Sequence, residues 1–194
     1  MIPLEPLSLE TKIFFLSAVE FGARLFQGPG GPDGENWLEL VLHGPAELAN
    51  LLPDHRPAAP DDDPDFAIPA LLARLTERDE ASGEQILERE FTRLFAANGE
   101  SAAAPQTASD SAMPPGGLAG RLARDLETLT ALLAKGWLAK EPDRIAQAGT
   151  MCRDALTPCL AALHGRLATT DRTGVHAAAV AMLLSVVRGI GRAV

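Results

Sequence analysis

The segment Leu87-Glu88-Arg89-Glu90-Phe91-Thr92-Arg93-Leu94-Phe95 holds the most telling chemistry in this chain. Wound as a helix at about 100° per residue from Ile86, it sets Ile86, Leu87, Phe91, Leu94 and Phe95 within one arc of about 180°. Glu90 falls inside that arc, and Arg93 falls just beyond its edge. A carboxylate turned toward a core must be hydrogen-bonded, ion-paired or protonated, because an unpaired buried charge is strongly destabilising. Two uses of Glu90 follow. In the structural one it caps a neighbouring helix end or pairs with an arginine such as Arg24 or Arg74. In the functional one it helps build a ligand- or peptide-binding groove.

The stretch that follows, Asn98 to Gly117, is small, polar and rich in Pro and Gly. Loops beyond about 12–15 residues are uncommon in compact domains and usually serve a function or stay disordered. Elsewhere the chain offers little chemistry. It has no glycine-rich phosphate loop and no dinucleotide fingerprint. His43, His55, His164 and His176 are scattered, and each reads as a surface or lightly packed residue. Asp61-Asp62-Asp63 reads as a solvated charge cluster, since the glycine and glutamate of a calcium loop are missing. Cys152 and Cys159 stand i, i+7 on one predicted helix, with Cα atoms about 10 Å apart and beyond disulfide reach. They read as buried structural thiols, and Trp37 and Trp137 as packing residues. The expectation is a protein that is not an enzyme and takes no metal or cofactor.

The elements that must position Glu90 are helices. Ala and Leu dominate, tyrosine is absent, and no sustained period-2 run of β-branched residues occurs. The expected fold is an all-α, single-domain bundle of about seven or more helices, spanning residues 1–194. Ser8 with Glu10 opens a helix to about Gln27, stopped by Gly28-Pro29. Asp33 caps a second helix carrying Trp37, Leu40 and Val41, interrupted at Gly44-Pro45 and resumed through Leu52. A proline- and aspartate-rich connector covers about 53–64, and a third helix spans Phe66 to Arg78. Ser82 and Gln85 form a capping-box pattern at the start of the fourth, which ends near Ala97. Leu118, Leu122, Leu126, Leu129 and Leu133 stripe a long fifth helix. A sixth starts at Pro142, kinks at Pro158 and ends near Leu167. The seventh, from Thr173 to Ile190, is apolar nearly all round and so expected to be largely buried.

Charge narrows the partners. Residues 1–97 carry 7 basic and 18 acidic side chains, net −11, whereas 98–194 carry net +2. Phosphate binding needs a basic face, so nucleic acid is not the expected partner. A basic peptide suits the acidic half. The N-terminus carries Glu5, Glu10 and Glu20 and lacks a basic start, so it does not read as a signal peptide. The apolar run from Ala177 to Val187 is short of the roughly 20 residues that span a bilayer. The expectation is a cytoplasmic protein without membrane insertion.

The order of features resembles the TorD/DmsD/NarJ family of molybdoenzyme-specific chaperones. There a helix ends in an acidic-aromatic-x-Arg-Leu-Phe segment, followed by a long Pro-containing loop and a long helix. Here these are Glu90-Phe91-Thr92-Arg93-Leu94-Phe95, the stretch to Gly117, and the helix from Leu118. Leu25-Phe26 followed by Gly-Pro, and Leu156-Thr157-Pro158 before an apolar helix, also fit. Ser109 and Ser111 stand as rough counterparts of a loop motif, while Gly116-Gly117 occupies the place of an Asp-His pair common in the family. The resemblance implies a chaperone that binds the twin-arginine signal peptide and apo form of a molybdopterin oxidoreductase until its cofactor is inserted. It implies peptide or partner contacts at Glu90, Phe91, Arg93, Leu94, Phe95, Ser109 and Ser111, in a monomer or homodimer. Two other classes compete: a helical adaptor that binds a folded protein, and a small helical enzyme using Glu90.

Overall fold

Ser8 begins the first helix by accepting the Thr11 N–H on its Oγ at 3.1 Å. That helix, α1, runs Leu9–Gln27 and stops where Gly28 turns into the left-handed region at φ 71°. The computed structural model describes residues 7–31, 34–52, 66–77, 80–96 and 117–194. Every regular element among them is helical. After α1 come a 3₁₀ turn (Gly34–Asn36), α2 (Trp37–Asn50), α3 (Ile68–Thr76) and α4 (Glu80–Phe91), which continues as a π-helical turn (Thr92–Ala96). Then follow α5 (Gly117–Leu138), α6 (Pro142–Met151), a second π turn (Cys152–Leu156), α7 (Thr157–Thr170) and α8 (Val175–Ala193). Because α6 and α7 join through their π turn, the described residues form seven helical rods. The all-α bundle is as expected.

One apolar core joins them. α1 lies at its centre, with Phe14, Phe15, Val19 and Phe26 buried, and packs on α5, α2 and α8. The leucine stripe of α5 does what its spacing predicts: Leu122, Leu126, Leu129 and Leu133 are all buried. α8 is long and apolar enough to cross a membrane, but 61% of that stretch is buried in the bundle. Val180, Leu183 and Val187 make it a core helix.

Several boundaries differ from the sequence expectation, each for a physical reason. α2 is not interrupted at Gly44-Pro45 but runs straight through both. An interior proline forfeits one backbone hydrogen bond. Burial of Val41, Gly44, Pro45 and Leu48 against α1 offsets that loss. Gly44 is what allows the approach, since a Cβ there would lie 2.8 Å from two ring carbons of Phe21. α4 starts at Glu80, so Ser82 and Gln85 lie within the helix rather than at its cap. A local capping preference of about 1 kcal/mol yields to the extension through Glu80–Ser82, each further residue adding one backbone hydrogen bond. α3 is shorter than expected, and α8 begins two residues later, behind Gly174. The expected kink at Pro158 takes the form of the π turn just before it, where the widened ladder absorbs the missing N–H. The connector at 53–64 and the loop residues 98–116 lie outside the described residues.

Candidate functional site

The end of α4 is fastened to the α7–α8 turn by one carboxylate. Arg93 reaches back along its own helix and grips Glu90 with both prongs, Nε to Oε2 at 2.9 Å and Nη2 to Oε1 at 2.6 Å. The backbone N–H of Arg172 donates to the same Oε1 at 2.8 Å. Arg93 Nη2 also donates to the carbonyl of Thr170, in the last turn of α7. A carbonyl in the last turn of a helix has no partner within it, so Arg93 supplies one where the helix dipole favours a cation. The Glu90 side chain is 7% exposed and that of Arg93 39%. The Arg93 hydrogen bonds hold the Glu90 carboxyl below the usual range; burial opposes them, and the Arg172 N–H adds to the lowering.

This geometry answers the question posed by the sequence. Glu90 is buried, as its position on the helical arc requires, and its partners are Arg93 and the Arg172 N–H. Arg24 and Arg74 are engaged elsewhere, with Glu20 at 3.0 Å and Glu77 at 3.3 Å. Ile86 departs from the expectation: it is 46% exposed, and the buried arc is narrower, formed by Leu87, Glu90, Phe91, Leu94 and Phe95. Ser109 and Ser111 lie outside the described residues.

Phe91 and Phe95 enter an aromatic cluster drawn from four helices. Their rings lie 4.8 Å apart; Phe91 meets Trp37 edge-on at 5.1 Å, and Phe95 meets Phe26 at 5.8 Å. The Trp37 indole N–H donates to the Leu25 carbonyl at 3.0 Å, tying α2 to the end of α1. Gly28 completes the corner. A Cβ there would stand 2.2 Å from Phe91 Cε1, so the glycine is needed for space as well as for its positive φ.

Sequence reasoning missed a second polar group in the same corner. His176, expected at the surface or lightly packed, is 1% exposed, and its ring lies among those of Trp37, Phe91 and Phe95 at 6.0–6.5 Å. Its Nδ1 is 3.7 Å from Asp171 Oδ1, and its buried Nε2 has no hydrogen-bond partner among the described residues. Asp171 accepts from Thr173 N–H and Oγ1 at 2.9 and 2.6 Å and from Ala177 N–H at 2.9 Å, capping α8. Burial alone would raise its pKa; His176, Thr173 and Ala177 outweigh that and hold the carboxyl well below the usual range. The signal for this network was an Asp-x-Thr-Gly run before an apolar helix, a capping pattern not credited with burying the histidine.

Among the described residues no three His, Cys, Asp or Glu side chains converge as a metal would require. Cys152 is fully buried, its thiol pushed up to about 12 by burial, and Cys159 is half-buried. Glu90, Arg93, Asp171 and His176 thus form a fastening between α4, α7 and α8, with an aromatic floor reaching α1 and α2. Comparison with known family models, curated proteins and solved structures finds no match.

Proposed function

We propose that the protein is a maturation chaperone that binds the twin-arginine signal peptide and apo form of a molybdopterin oxidoreductase, holding it in the cytoplasm until cofactor insertion. The supporting observation is the setting of the Glu90–Phe95 segment, which carries the resemblance to molybdoenzyme chaperones. Four of its six residues are buried, and its two phenylalanines sit in an aromatic corner shared by α1, α2, α4 and α8. The corner fixes the point from which the chain leaves α4 for residues 97–116. In this reading the segment acts from within, holding the surface against which a peptide lies. A carboxylate held ionised by Arg93 suits this positioning role better than that of a general acid, which needs a raised pKa.

The acidic half of the chain attracts the paired arginines and sets orientation and on-rate, while apolar burial supplies most of the affinity. Affinity capture of the tagged protein from its native cytoplasm, with mass spectrometry of what is retained, tests the proposal. The expected result is a precursor molybdoenzyme that keeps its leader. Reproducible capture of a folded partner without such a leader would replace the chaperone reading with the adaptor.

A further inference from the structure

α1 and α2 are antiparallel neighbours: Trp37 meets Leu25 at one end, and Gly44 meets Phe21 further along. Between them runs an open groove of about 220 Å³. Phe21 and Leu48, both buried, form its floor, and Leu40 and the 38%-exposed Leu51 form its apolar sides. Past Arg24 and Leu40 a smaller hollow continues to Gly28 and Trp37, the corner against which Phe91 packs. The hollow thus ends on Gly28 and Trp37, the two residues on which the Phe91 ring packs.

Its size and its charge both restrict the occupant. Small-molecule sites usually measure about 300–1,000 Å³ and enclose their ligand. An open groove below that range suits one or two anchoring side chains of a polypeptide. Glu20 and Glu47 stand on its two rims, one from each helix. Glu47 is exposed and makes no ion pair among the described residues, whereas Glu20 pairs with Arg24 across a single turn of α1. Both members of that pair are about half exposed, and such a pair contributes little, so an incoming guanidinium exchanges for Arg24 readily. Arg24 also lines the groove and offsets Glu20, so its net negative charge rests on Glu47 beside the apolar floor, a setting complementary to a cation next to a bulky apolar side chain.

We propose that the α1–α2 groove is a docking site for a cationic, apolar-anchored peptide segment. Its apolar anchors rest on Phe21, Leu40, Leu48 and Leu51, and its guanidinium groups meet Glu47 and Glu20. The inference rests on the chaperone reading for the identity of the peptide, the client's leader, and on the groove alone for the location.

The test is fluorescence-anisotropy binding of a labelled synthetic leader peptide, two adjacent arginines ahead of an apolar stretch, to the full chain. A scrambled peptide of the same composition is measured beside it. Variants E47K and L51D are compared with D154K, a charge reversal on the π turn joining α6 and α7, after thermal melts show that each folds. Expected are a roughly tenfold or greater loss of affinity in E47K and in L51D, wild-type affinity in D154K, and weakening of wild-type binding by salt. Leader binding that E47K and L51D leave unchanged would overturn the groove and leave the chaperone reading standing. Equal binding of leader and scrambled peptides, lost in E47K, would support the groove and count against the chaperone reading. No binding of either peptide to the wild type would overturn both.

Discussion

Glu90 shows how one side chain links burial, charge and architecture. A glutamate on the apolar arc of a helix needs partners, and it finds one on its own helix and one 82 residues away, in Arg93 and the Arg172 N–H. Replacing it by glutamine keeps the shape but removes the charge that both donors address. Hydrogen bonds to charged groups contribute about 1.5–3 kcal/mol, so Glu90→Gln is expected to lose about that much at neutral pH. The pH dependence has a definite sign. Because the folded-state pKa lies below the unfolded one, the contribution is complete above the ordinary glutamate range of about 4.3. It is lost as pH falls through the folded value. Urea midpoints of wild type and variant should therefore differ at pH 7 and draw together in acid. A gap that stays constant with pH would mean that the charge of Glu90 contributes nothing.

Among the elements, the turn after α1 decides how α2 and α4 meet. Gly28 is held at φ 71° with the Phe91 ring where a side chain would begin. Gly30, two residues on, has nothing within 4 Å of its Cβ direction. The two make a matched pair. Gly28→Ala should destabilise by about 1–3 kcal/mol from overpacking, with left-handed strain in addition. For a chain of this length that lowers Tm by about 2–4 °C per kcal/mol. Gly30→Ala should fall within about 0.5 kcal/mol of wild type. Equal melting of the two variants would mean that Phe91 yields without cost, and that the corner is looser than its geometry implies.

In the whole molecule, the two thiols report on how the bundle opens. Cys152 is enclosed by the core with its thiol pushed up to about 12, and Cys159 is half-buried with a smaller rise. The thiolate is the reactive form, so alkylation of the native protein near pH 8 should reach Cys159 first. Cys152 should react only at the rate of global unfolding. Equal labelling of both under native conditions would reveal local opening at the π turn that begins with Cys152.

The sequence by itself determined the helical class, the Ser8 cap, the leucine stripe of α5 and the burial of Glu90. All of these rest on hydrogen bonds and periodicities that span a few residues. It did not disclose that α2 passes through Gly44-Pro45, because the Phe21 ring that makes this favourable stands more than twenty positions earlier. Nor did it disclose the burial of His176, which depends on aromatic rings from α2 and α4 arriving at the start of α8. The α1–α2 groove was likewise not legible, since it is the space left where two amphipathic faces fail to close. Only the tertiary structure decided these features, because they are set by which distant faces pack together, and local preference carries no record of that choice.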